Sequence, residues 1–182
     1  FIALAKTRPG KITMGSSGAG TTNHLSGELF QSATGTKFIH IPYKGSGPGL
    51  IDLMGGQIDI FFDQLSASIG YIQTGRLRAL AVTTIKRASA MPELPTIAES
   101  GIPGFDSSTW TAVIMPAATP QDVVLKVHGA LVKTLRMKTT RDAFVRLGAE
   151  TLESSPEETA RFVKEDLAKW TRVVRAAGIK LE

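Results

Sequence analysis

Three glycines, two serines and two threonines fall within the eight residues Gly15 to Thr22 of a 182-residue chain. Side chains this small leave the backbone as the chemically active surface. Gly15, Gly18 and Gly20 permit positive φ and let successive N–H groups face inward. The residues that follow, Thr21 to Phe30 (TTNHLSGELF), run as a helix whose first turn has unpaired donors and a partial positive charge. That combination seats an anion. A nucleotide site asks for more. Gly15 and Gly20 have the outer spacing of GxxxxGK[ST], but Thr21 stands at the lysine position, and counting GxGxxG from Gly18 puts Asn23 at the third glycine. The stretch therefore reads as a seat for a small anion, a carboxylate, without phosphoryl chemistry. The same residues would also serve as an ordinary tight βα turn with hydroxyl caps.

Other chemistry is sparse. The chain has no cysteine, so disulfides and thiolate metal sites are excluded, and His24, His40 and His128 fall at no metal-ligand spacing. Neither a metal nor a cofactor is expected. Ser17 sits in GSSGAG rather than GxSxG, and spacing pairs it with no histidine, which argues against a hydrolase. The net charge of +5 would suit an acidic partner, but the basic residues are spread along helices. Their densest group, Arg76, Arg78, Lys86 and Arg87, lacks interleaved aromatics, so nucleic acid is not an expected partner.

The elements that position the loop follow from periodicity. Lys11 to Met14 reads as a strand before the loop, and Phe38 to Pro42 (FIHIP) alternates as a second. Tyr43 to Gly49 is another glycine-rich loop, with Pro48 at a helix start and Gly55 as its stop. Ile58 to Phe62 is a third strand, directly followed by Asp63, a helix through Leu65, Ile69 and Ile72, and a fourth strand at Leu77 to Thr83. Strands alternating with short helices predict an α/β fold with a parallel sheet, which brings the loops at Gly15, Tyr43 and Asp63 to one carboxyl edge. Beyond it come a proline-rich stretch with a short helix near Thr96 to Ser100, and an extended segment from Phe105 to Met115. Three helices complete the chain: one capped by Thr119 with Pro120 first, one over about Thr140 to Leu147, and a long one opened by the capping box of Ser155 and Glu158. In the last, Phe162, Val163, Leu167, Trp170 and Val174 are expected to face a core. So strand-poor a segment needs strands supplied from elsewhere, by a part preceding Phe1 or by another chain. No apolar run reaches the length of a membrane helix, so the chain is not expected to be membrane-embedded.

The runs GSSGAGTTNHLSGELF, IPYKGSGPGLIDLMGGQIDIFFDQL, GRLRALAVTT, LPTIAESGIPGFDSSTW and MPAATP, in that order, resemble the substrate-binding (Bug) receptors of tripartite tricarboxylate transporters. The resemblance implies a periplasmic two-lobed clamshell, type II among periplasmic binding proteins, that closes on a small carboxylate and presents it to a membrane permease. Residues 1–106 then form the second, parallel-sheet lobe, complete in this chain. Residues 107–182 form the returning part of a first lobe whose remainder, roughly 100 residues, would precede Phe1. The family's ligand loop falls on Ser16, Ser17, Gly18, Ala19, Gly20, Thr21 and Thr22, its PYKG element on Tyr43, Lys44 and Gly45, and its FD element on Asp63. Lys44 would either neutralise a second carboxylate or stand solvated; Asp63 would either orient a ligand hydroxyl, ammonium or water, or cap the next helix. The resemblance implies a receptor and no enzyme. A ligand-sensing subunit needs the same closing cleft, and a small-molecule hydrolase is the remaining alternative.

Overall fold

The structure, a computed structural model, describes residues 1–179. A short helix, α1 (Ile2–Thr7), leads into β1 (Ile12–Ser16), α2 (Thr22–Thr34), β2 (Phe38–Pro42), α3 (Ser46–Met54), β3 (Ile60–Phe61) and α4 (Leu65–Gln73). The three strands form one parallel sheet in the order β2-β1-β3, with Ile12 opposite Phe38, Ser16 opposite Pro42 and Gly15 opposite Phe61. The parallel α/β arrangement is the one the alternating pattern predicts. β1 is central and almost wholly buried, and α2 lies so close to it that a Cβ at Gly27 would collide with the Met14 side chain. Phe30 of α2, with Ile97 and Phe105, forms the main apolar cluster, against which Ile2, Phe38 and Phe62 pack.

The fourth predicted strand does not join this sheet. Within 77–83 only Val82 pairs, in a parallel bridge to Thr96: its N–H donates to Pro95 O and its carbonyl accepts from Ile97 N–H, both at 2.9 Å. Residues 95–97 have taken the N–H and carbonyl of Val82, and the Ser107 N–H donates to Thr83 O at 2.8 Å, so those groups are not available to a sheet neighbour. The short helix expected at 96–100 is a turn, held by reciprocal bonds between Thr96 and Glu99 at 2.8 and 3.0 Å.

Residues 105–116 run without regular structure to α5 (Gln121–Arg136), α6 (Lys138–Arg146) and α7 (Pro156–Ala177). α5 begins one residue later than expected, with Pro120 itself at the N-cap and no bond from Thr119. The capping box is present as read: Ser155 accepts from Glu158 N–H at 3.1 Å and donates its own N–H to the Glu158 carboxylate at 2.8 Å. The apolar stripe of α7 departs from expectation. Trp170 and Val174 are half-buried, but Phe162, Val163 and Leu167 are exposed. α7 packs on α2 at its tryptophan end, and among the described residues no strand lies under the rest of the stripe.

Candidate functional site

The carboxyl ends of all three strands meet where the sequence places its loops. Tyr43 N–H donates to Ser16 O at 2.9 Å and Gly45 N–H to Ser17 O at 3.2 Å, tying the second loop to the first. Ser46 Oγ, in the first turn of α3, donates to Asp63 Oδ1 at 2.7 Å. Asn23 completes the junction. Its amide donates to Phe62 O at 2.6 Å and to Asp63 Oδ1 at 3.2 Å, while its oxygen accepts from Ser17 Oγ.

Within the first loop the side chains are committed to shaping the backbone. Ser16 is fully buried, with its hydroxyl 3.0 Å from Gly18 O, 3.2 Å from the Gly18 N–H it accepts, and 2.6 Å from His40 Nε2. Gly18 and Gly20 adopt φ of 138° and 73°. Thr21, the N-cap of α2, gives no side-chain bond to its helix; its hydroxyl turns back to Gly18 O at 2.7 Å. The first turn of α2 therefore keeps its donors free of a side-chain cap. Gly20, Thr22 and Leu25 line a cavity of about 300 Å³ together with Trp110, Asp166 and Trp170. Ala19 and Lys44 are exposed.

Asp63 is the carboxylate at the end of β3, and Asp166 stands among the residues that line the cavity with Gly20 and Thr22. Burial raises the pKa of Asp63, opposed by the bonds from Ser46, the Gln64 N–H and Asn23. It meets the starts of all three helices: α3 through the Ser46 hydroxyl, α4 through the Gln64 N–H, and α2 through the Asn23 side-chain amide, while the main-chain N–H groups of the first turn of α2 receive no side-chain cap. Its Oδ2 is buried with no partner among the described residues.

Residues that carried no motif supply much of this architecture: Asn23, Ser46, and the histidines His24 and His40. His40 shares strand phase with the inward Phe38, and His24 precedes Glu28 by four residues; those were the available signals. The Ser16–His40 contact has the spacing of a nucleophile and base, but the Ser16 hydroxyl has no exposed surface for a substrate to reach. Among the described residues no group of three or more potential metal ligands gathers, and no helix is long and apolar enough to cross a membrane.

Comparison with known proteins gives this edge its context. The family described as the tripartite tricarboxylate transporter family receptor matches residues 1–179. The chain belongs to that family. It is similar to BugT of Bordetella pertussis, 36% identical over the whole of this chain and 56% of that protein. It also resembles an R. palustris protein solved with adipate (TM-score 0.87, 38% identity, 98% of this chain and 60% of the other). MatC from Rhodopseudomonas palustris, solved with bound malate, aligns with a TM-score of 0.78 at 27% identity, over 96% of this chain and 60% of its own. The chain spans about half the length of the curated relatives it matches.

Proposed function

We propose that this receptor-family chain holds a small organic carboxylate at the start of α2, on those N–H groups of the loop Ser16 to Thr22 and the following turn that have no acceptor among the described residues, such as Ala19, Thr22 and Asn23, and makes or breaks no bond in it. The uncapped first turn of α2, which follows the carboxyl end of the central strand and whose Thr22 borders a cavity with Trp110 and Trp170, is the observation that carries the proposal. The main chain and the helix dipole would supply the grip, and Ser16, Ser17 and Thr21 would hold the loop in shape. Tyr43, Lys44, Gly45 and Asp63 border the seat, and the side chains nearest the solute select the rest of the molecule. Residues 1–106 would act as one lobe of a clamshell and 107–182 as the returning part of the other, delivering the solute on the periplasmic side to a permease of the tripartite type. The adipate and malate held by two structural neighbours support the choice of ligand class.

Titration calorimetry of the full-length protein with acetate, adipate, malate and citrate tests this. One acid should bind and be recovered unchanged. Gly20→Ala, forced into a left-handed conformation that costs a side-chain-bearing residue about 1–2 kcal/mol, should weaken it by about tenfold or more while the circular dichroism spectrum is retained. Absence of binding by all four acids would overturn the proposal.

A further inference from the structure

Two imidazoles with no assigned task lie against the loop. His24, in the first turn of α2, and His40, at the centre of β2, stack with ring centroids 3.7 Å apart and planes within 4°. Both are bonded to the loop: Gly20 N–H donates to His24 Nδ1 at 3.1 Å, and His40 Nε2 meets Ser16 Oγ at 2.6 Å. Ser16 in turn accepts the Gly18 N–H. Three alternate loop residues, at 16, 18 and 20, thus hang on one stacked pair.

The donor at Gly20 fixes the state of His24. Its Nδ1 accepts, so the neutral ring carries its hydrogen on Nε2, 3.6 Å from Glu28 Oε1. A second proton can enter only at Nδ1, where it would set a donor against the Gly20 N–H. Gly20 immediately precedes the N-cap of α2, so displacing its N–H displaces the helix start. The charged surroundings are few. α2 contributes Glu28, β2 contributes His40, and β1 contributes Ser16, which does not titrate; His24 and Glu28 are the charged groups acting on His40 among the described residues. Burial, and then the neighbouring His24, push the His40 imidazole down to about 4, so it stays neutral at and above pH 5.5.

Resting on the assignment of this loop as the carboxylate seat, we propose that the His24–His40 stack is a positioning pair that holds the seat in its binding form only while His24 Nδ1 is bare. Solute release is then coupled to uptake of a proton. The opposite behaviour has an equally simple cause: an imidazolium beside the seat would attract a carboxylate, and acid would then strengthen binding.

Adipate and malate affinities measured by calorimetry on the full-length protein from pH 8 to 5.5, in wild type, His24→Ala and His24→Asn, separate these. The ligand's own titration cancels in the ratio to a variant. Wild-type affinity should fall relative to His24→Asn as the pH is lowered across this range, by at most about tenfold per pH unit for a single proton. His24→Ala should bind weakly at every pH, and His24→Asn, whose Oδ1 accepts the Gly20 N–H without titrating, should recover binding and lose the acid dependence. Wild-type affinity that is constant or rises with acid relative to His24→Asn, or parallel profiles for wild type and His24→Asn, would overturn the proposal. Failure of adipate, malate, acetate and citrate alike to bind at any pH would count against the carboxylate seat itself. The pair is then judged by ring-nitrogen and amide NMR: a Gly20 amide resonance that shifts with His24 protonation supports it, and one that does not overturns it.

Discussion

At the residue scale, His40 carries the plainest consequence. Its imidazole is pushed down from 6.5 to about 4, by burial first and by His24 second. The unfolded chain takes up this proton more readily than the folded one, so the folded state is fully favoured above about 6.5 and loses ground as pH falls toward about 4. The melting temperature should drop across that window, and His40→Gln should flatten the drop; an unchanged slope in the variant would show that another group is responsible. Asp63 acts with the opposite sign. Burial raises its carboxyl, so the folded state binds that proton more tightly and stability declines as pH rises through the carboxylate range. The glycines and hydroxyls of the loop were legible in the sequence because their types are concentrated in one stretch. Asn23, His24 and His40 were not, since a single buried amide or imidazole has no motif and its partners come from other elements.

At the element scale, β1, β2 and α2 were readable because their apolar spacing repeats within each segment, and Ser155 announced α7 through Glu158 three residues on. The segment at 77–83 reads equally well as a strand. Its fate is set by residues 95–97, a non-local pairing that periodicity does not encode. Local pattern was also silent on what fastens α7 to the rest. Asp166 does so: its Oδ2 accepts from the indoles of Trp110 at 2.8 Å and Trp170 at 3.1 Å, and its Oδ1 pairs with Lys169 at 2.7 Å. Burial pushes this carboxyl up, but those bonds outweigh it and hold it below the usual range. Asp166→Ala leaves two indole donors without their acceptor and should cost about 1–3 kcal/mol, with a red shift in tryptophan emission. A variant with unchanged melting and emission would contradict this role.

At the scale of the whole molecule, burial is uneven. β1 and α2 lie in a packed sheet and cluster, whereas α5, α6 and α7 bury no apolar side chain completely, and Ile114, Leu152 and Leu167 are 89%, 75% and 68% exposed. Amphipathic stripes are visible in a sequence; the surface that covers them is not. Amides of 113–167 in this chain should consequently exchange with solvent faster than those of β1 and α2, as hydrogen-exchange mass spectrometry would register, and uniform protection would refute the uneven packing. The claim on which the functional account turns is that the main-chain donors at the start of α2 grip the solute. Amide NMR of the full-length protein titrated with adipate and malate measures this directly: the account predicts that the N–H resonances of Ala19, Thr22 and Asn23 shift most, and downfield, whereas saturable binding that leaves those resonances unmoved would contradict it.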